Sequence, residues 1–295
     1  MFIADLQIYS TFSSGKLAIP EIVDLCGARG FGAIAITDQL CESRTVLGKA
    51  AVYMNRTLTP AVFPLYMEII KSESLRALKK YNMVVIPGVE VTKSAVTDQR
   101  TARVIALGVS NYISADQSVR EICVAAQNQG AITVGGYTPR LWQRRERLIP
   151  YIDAWEVANG RKLLASVVAS DLPKLASSAM RGIKHMNSWK TVFSCDRNPQ
   201  AILNAIKKQE VAFTYYDEVT NDIFNFFGTD DVGSNLQPDA DGYVFDAKTF
   251  SLKALRRQRR LTSVSSDKHL KAIERRRDRN ARKSRKLFHS GVSDI

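Results

Sequence analysis

The chain has 295 residues, 45% of them apolar and 24% charged, which is enough to bury one large core of an ordinary globular protein. No run of apolar residues is long enough for a membrane span, and Met1-Phe2-Ile3-Ala4-Asp5 lacks the basic and apolar regions of a secretory signal, so a cytoplasmic protein is expected. The net charge of +13 is local: residues 253–286 hold fifteen Lys or Arg against Asp267, Glu274 and Asp278, a net of +12 that leaves the rest of the chain almost neutral.

The opening reads as strand, turn, helix, turn, strand. Phe2-Ile3-Ala4 is a short apolar run, Ser13-Ser14-Gly15 a turn, and Pro20 sits where the first turn of a helix accepts it. Ile22, Val23, Leu25 and Cys26 form a helical apolar stripe that Gly30 and Gly32 end, and Ala33-Ile34-Ala35-Ile36 reads as a buried strand. Asp5 and Asp38, each placed just after a strand, are expected at one rim of a parallel sheet, where α/β folds carry their chemistry.

Helical spacing then recurs at 41–59 and 65–78, followed by strands at 83–86 and 103–109. A helix at 119–129 precedes a strand at 131–134 that opens onto Gly135-Gly136-Tyr137-Thr138-Pro139. Residues 153–157 read as a strand, 163–170 as a helix, 175–177 and 190–193 as strands, and 199–208 as a helix with Pro199 at its start. Alternating strands and helices predict an α/β fold with a parallel sheet. Cys26, Cys41, Cys123 and Cys195 form no CxxC pair and read as reduced structural thiols. No Ser or Cys has a recognisable His partner by motif, so nucleophilic catalysis has no support.

From Glu210 to Asp246 there are nine acidic residues and no Lys or Arg, with Gly228, Gly233, Pro238 and Gly242 as breakers. The expected organisation is a barrel domain over 1–215, an irregular acidic linker over 216–247, and a basic tail, partly helical or disordered, over 248–295.

The opening motifs Asp5-Leu6-Gln7-Ile8-Tyr9-Ser10, Ser13-Ser14-Gly15 and Thr37-Asp38-Gln39 resemble those of the PHP (polymerase and histidinol phosphatase) family, which reads D-L-H-x-H-S, S-D-G and T-D-H. The resemblance implies a distorted (β/α)7 barrel over residues 2 to about 215. It also implies a cluster of divalent ions at the barrel mouth that activates water for phosphoester hydrolysis.

Carried over one position at a time, the two histidines after the first strand fall on Gln7 and Tyr9, the aspartate of S-D-G on Ser14, and the histidine of T-D-H on Gln39. The glutamate of G-x-E is retained as Glu90. The histidine that opens H-x-x-x-L-G falls on Arg103, and that of the A-H-P turn on Tyr137, with Pro139 displaced by one. The S-D-x-H element reads Ser178-Ala179-Met180-Arg181, placing Ala179 and Arg181 at its ligand positions; Asn187-Ser188-Trp189-Lys190-Thr191 downstream supports the register. One of these nine positions keeps a ligand-type residue. His185, His269 and His289 lie away from all of them, and His185 is read as a surface-loop residue near Arg181.

A catalytically degenerate PHP-fold protein, a pseudoenzyme with a binding or scaffold role, is therefore expected, with no cofactor. Two readings of the replacements remain open. An Arg103 or Arg181 pair with Glu90 would hold the old site together without metal. Alternatively Arg103, Arg181, Gln7, Gln39, Tyr9 and Tyr137 would form a pocket for an anion such as phosphate. Asp5 and Asp38 read as orienting residues, and Glu156 as a strand-end residue facing the mouth. The rival is a PHP-type phosphoesterase with a rearranged manganese, zinc or magnesium site built on Glu90, Asp5 and Asp38.

In the tail, Arg256, Arg257, Arg259 and Arg260, then Arg275, Arg276, Arg277, Arg279, Arg282, Lys283, Arg285 and Lys286, are suited to neutralising phosphates. Nucleic acid or another polyanion is the expected partner of residues 253–286. An acidic protein partner, masking by the acidic linker, and a membrane surface are the other options, the last disfavoured by the lack of a bulky apolar face. Phe288 is the one aromatic residue from Ser251 onward, so base stacking is not expected.

Overall fold

The computed structural model describes residues 1–93, 102–136, 149–160, 162–163, 171–217, 223–224 and 244–246. Tyr137, the tail and all but five residues of the span 218–247 lie outside the described residues, as does most of the helix expected over 163–170.

The chain opens with β1 (Phe2–Ile8), α1 (Ile19–Gly27) and β2 (Ala33–Cys41). Helix α1 starts where the Glu21 carboxylate accepts from the Ala18 backbone N–H at 2.7 Å, with Pro20 in its first turn. Ile19, Ile22, Val23 and Cys26 bury one face, and Gly30, at φ 77°, turns the chain toward β2. Next come α2 (Val46–Tyr53), α3 (Phe63–Tyr81) and β3 (Val84–Lys93), α3 ending on Asn82 in the left-handed conformation. Then follow β4 (Ala102–Leu107), α4 (Val119–Gln127), β5 (Ile132–Gly135), β6 (Ala154–Asn159) and the two-residue β7 (Lys162–Leu163). Helix α4 is held by a reciprocal cap between Ser118 and Glu121. The chain continues through β8 (Lys174–Ser177), β9 (Ser188–Phe193), α5 (Pro199–Lys207) and β10 (Val211–Tyr216). Within the span expected as an acidic linker, β11 (Ile223–Phe224) and β12 (Val244–Asp246) both pair antiparallel with β10. Among the described residues no helix is long and apolar enough to cross a membrane.

The strands form one barrel-shaped sheet in the order β11-β10-β9-β1-β2-β3-β4-β5-β6-β7, with β8 on β6. It is mixed, which corrects the expected parallel sheet. β1–β2, β2–β3, β5–β6 and β6–β8 are parallel, whereas β3–β4, β4–β5, β1–β9 and β9–β10 are antiparallel. The reason for the first reversal is the connection. Residues 94–101 are too few to carry a crossover back across the sheet, which needs a dozen residues or more.

The barrel is nearly closed on the far side. Ile8 bridges to Met180, with Tyr9 N–H donating to the Met180 carbonyl at 2.9 Å and Met180 N–H to Gln7 O at 3.0 Å. Between β8 and β9 one hydroxyl takes the place of a ladder: Thr191 Oγ1 accepts from Ala176 N–H at 3.0 Å and donates to Ala176 O at 2.8 Å. Leu6, Ile34, Ile36, Ile86, Val134, Val157 and Phe213 are fully buried core residues, but the same strands also bury Asp5, Gln7, Glu90, Glu156, Ser177 and Lys190. A barrel whose interior carries that much polarity must pair most of the groups it encloses.

A buried polar centre at the barrel mouth

Glu90 is the hub. The parallel register of β2 on β3 sets Gln39 directly opposite it, and strand alternation puts Thr92 on its face two residues on. Its Oε1 accepts from Gln39 Nε2 at 3.0 Å and Thr92 Oγ1 at 3.1 Å; its Oε2 accepts from Gln7 Nε2 and Tyr9 OH, each at 2.6 Å. Arg103 Nε lies 3.2 Å from Oε1, and the Glu90 side chain is wholly buried. Four neutral donors and a guanidinium thus meet one carboxylate, which accounts for all of its strong acceptor directions.

Gln7 connects this hub to a second carboxylate. Its amide oxygen accepts from Asn159 Nδ2 at 3.2 Å and Ser177 Oγ at 3.3 Å, and both of those groups also donate to Glu156 Oε1. The amide orientation of Gln7 is fixed from both ends. Burial draws the Arg103 guanidinium down, but the surrounding Glu90, Tyr9 and Glu156 hold it above its ordinary value, so it stays charged. The Tyr9 phenol is pushed well above 10 by burial first and by Glu90 second, against the opposite pull of Arg103 and Arg181. It stays a proton donor.

Tyr9 also carries Arg181 on its ring, the guanidinium carbon 4.3 Å from the ring centroid. Arg181 Nε donates to Ser14 Oγ at 3.0 Å. Its neighbour His185 sits in a short 3-10 turn, Ile183–His185, and its imidazole is lowered by burial and by the charges of Lys184, Arg181 and Lys16.

Asp5 and Asp38 lie inside β1 and β2, both fully buried, which corrects their expected place beyond strand ends. Each stays inside because it has partners there. Asp38 accepts from Ser10 N–H at 2.9 Å, Ser10 Oγ at 2.6 Å and Ser13 Oγ, so it ties down the turn that carries Tyr9 and Ser14. Burial raises its carboxyl from 3.8 to about 6, with the Ser10 and Ser13 bonds opposing. Asp5 accepts from Ser178 N–H at 3.1 Å and faces Lys190 Nζ at 3.0 Å, both side chains fully buried. Lys190 also donates to Met186 O at 3.0 Å and Ser188 Oγ at 2.6 Å.

Of the positions singled out in the sequence, Gln7, Tyr9, Gln39, Glu90 and Arg103 meet at one centre, and Ser14 and Arg181 join it through Tyr9. Ala179 brings no polar group; it turns the chain at φ 51° so that Ser178 reaches Asp5 and Met180 reaches β1. Thr92, Asn159, Ser177 and Lys190 were not anticipated. Thr92 had a signal, since residue i+2 on a strand shares the face of Glu90. The others come from strands distant in sequence, and only the barrel brings them in.

No protein-family model and no curated protein matches the sequence. Among solved structures, a two-domain protein from Bacteroides vulgatus containing a predicted PHP-like metal-dependent phosphoesterase superposes with a TM-score of 0.51 at 18% identity. The match covers 73% of this chain and 65% of that one, so the chain spans less than two thirds of that protein's length. A candidate metal-dependent phosphoesterase from Bifidobacterium adolescentis gives 0.40 at 13% identity over 61% of this chain and 87% of that one. An amidohydrolase from Chromobacterium violaceum gives 0.43 at 13% identity over 60% and 87%. The first of these shows a PHP-like fold.

Proposed function

We propose, from the premise that this chain has a PHP-like fold, that it is a catalytically degenerate member of that family whose barrel serves binding or scaffolding. The observation that carries this is the Glu90 carboxylate, already met by Gln7, Tyr9, Gln39, Thr92 and Arg103. These residues do not fit a cluster of divalent ions. Arg103 has no acceptor and brings a fixed positive charge to the position a ligand would take. Tyr9 keeps its proton, and amide side chains are weak ligands beside histidine and carboxylate.

Metal analysis of protein purified without chelator or His-tag tests the reading. Substoichiometric manganese, zinc and magnesium, no thermal stabilisation by added manganese, and no hydrolysis of p-nitrophenyl phosphate are expected. Two or three tightly held ions per chain would replace this reading with a metal-dependent phosphoesterase.

For the basic tail, a net charge of +12 within residues 253–286 supports contact with nucleic-acid phosphates. Filter binding of the full chain to duplex DNA or RNA at several salt concentrations tests it. Steep weakening with salt is expected, and binding that ignores salt would discard the proposal.

A further inference from the structure

Helix α2 turns its apolar side chains the opposite way from an ordinary surface helix. Its one buried residue is Gly48, which has no side chain, whereas Tyr53 is 90% exposed, Val46 84%, Leu47 69% and Met54, at the C-cap, 56%. At about 100° per residue these four share an arc of roughly 120° that lies nearly opposite Gly48, so the apolar face points away from the barrel.

The segment is held in place all the same. Thr45 caps the helix, its Oγ1 accepting from Gly48 N–H at 3.0 Å. Upstream, Lys93 Nζ reaches Glu42 at 2.7 Å, and the Asp116 carboxylate accepts from Ser43 N–H at 2.9 Å and Ser43 Oγ at 2.6 Å. Downstream, Thr57 Oγ1 and Leu58 N–H both donate to the Gln39 carbonyl, at 3.0 and 2.8 Å. Both ends are pinned, and what stands between them is presented to the outside.

Charge indicates what that face fits. Residues 43–67 contain Arg44, Lys49 and Arg56, all exposed, and no Asp or Glu. The acids at the start of the segment are engaged: Glu42 with Lys93, and Asp116 with Ser43, within the field of Arg44. A second copy of the chain would crowd like charges around a patch of few side chains, which disfavours self-association.

We propose that α2 docks on an anionic bilayer surface, with Val46, Leu47, Tyr53 and Met54 entering the boundary between headgroups and acyl chains and Arg44, Lys49 and Arg56 meeting lipid anions. A bilayer requires no shape match from a convex helix, and it accepts a tyrosine at the level of its headgroups. The long basic side chains reach back to the headgroups while the apolar ones go deeper. Because the helix is pinned and its apolar face already exposed, docking needs no rearrangement of the barrel and orders little that is free. This supplies the bulky apolar face that the basic tail lacks, and it does not depend on the state of the Glu90 hub.

Co-sedimentation of the full chain with vesicles of phosphatidylcholine and phosphatidylserine in equal parts, and with pure phosphatidylcholine vesicles, tests the proposal. Tighter binding to the anionic vesicles is expected. The basic tail is itself attracted to them, so the deciding readouts come from α2. The double variant Leu47→Gln with Met54→Gln should bind the anionic vesicles about tenfold more weakly, as loss of two inserted apolar side chains does. Its thermal unfolding midpoint should be unchanged, since both side chains are exposed. Leu75→Gln, an exposed apolar change on α3, should leave vesicle binding unaltered. In Tyr53→Trp, anionic vesicles should shift the added emission to the blue, and brominated acyl chains should quench it beyond the quenching seen in the parent chain. Unchanged affinity in the double variant, or no added quenching in Tyr53→Trp, overturns the proposal, as does equal binding to the two kinds of vesicle. A dimer in analytical ultracentrifugation that the double variant abolishes would assign the face to a second copy and overturn it too. Should the double variant fail to fold, the quenching of Tyr53→Trp, a conservative change at an exposed position, decides alone.

Discussion

Gln39 and Glu90 face one another as register partners across the β2–β3 ladder, and the Gln39 amide closes the pair with a 3.0 Å hydrogen bond to Oε1. That bond exists because the parallel register sets the two residues opposite one another. A carboxylate fixed in this way is a structural element of the barrel, and its removal has a definite cost.

Glu90→Gln should destabilise the protein by about 3 kcal/mol, because Arg103 is left charged in a largely buried position without its counter-ion. Urea denaturation measures this. The double change Glu90→Gln with Arg103→Met should recover most of the loss, and failure to recover would show that the ion pair is not the main contribution.

The Asp5–Lys190 pair gives a second case deeper in the barrel. Lys190→Met should cost about 3–5 kcal/mol by leaving the Asp5 carboxylate buried beside a methyl group. Adding Asp5→Asn should return part of that stability. Chemical denaturation of the two single variants and the double variant closes the cycle, and purely additive losses would contradict direct coupling.

Asp38 predicts a pH dependence. Its native carboxyl is raised from 3.8 to about 6, so the folded protein holds that proton more tightly than the unfolded chain does. The stabilisation it contributes is full below its unfolded value and is lost as pH rises through about 6. Between these limits the wild type should lose about 3 kcal/mol relative to an Asp38→Asn variant, whose side chain does not titrate. Denaturation midpoints of both proteins across that range measure the difference, and parallel pH profiles would contradict it.

Gly15 predicts a steric effect on the same turn. A Cβ there would lie 2.7 Å from the Ser10 carbonyl oxygen and closer still to that of Tyr9, with no flexible side chain to yield. Gly15→Ala should destabilise by about 3 kcal/mol through overpacking against backbone. It should also loosen Tyr9 from Glu90, visible as faster exchange of the backbone amides around Tyr9.

The described helices and most strand positions were legible because their apolar periodicity and punctuation are local: the Pro20 start of α1, the Gly30 stop, the four-residue apolar run at Ala33. Strand length was less so. β1 extends through Ile8 although Asp5 and Gln7 interrupt its apolar pattern, since both are satisfied inside the barrel by Lys190, Glu90, Asn159 and Ser177. Strand direction was not legible from periodicity at all; only the shortness of 94–101 hinted at the turn from β3 to β4. The convergence of Gln7, Tyr9, Gln39, Glu90 and Arg103 followed from the motif frame. The Arg103–Glu90 pair was one of the readings left open there, but the bonds of Gln7 and Tyr9 to Glu90 were not read, because hydrogen-bond partners eighty residues apart leave no spacing to read.

The full occupancy of the Glu90 carboxylate has a consequence for anyone wishing to build a metal centre into this barrel. Putting histidine at position 7, 9, 39 or 103 one at a time would each break a bond the remaining residues rely on, so each intermediate variant is less stable than its parent before any ion is gained. The route is therefore rugged. Installing ligands here calls for simultaneous replacement of the whole donor set, and libraries that explore single steps should return mostly unfolded protein.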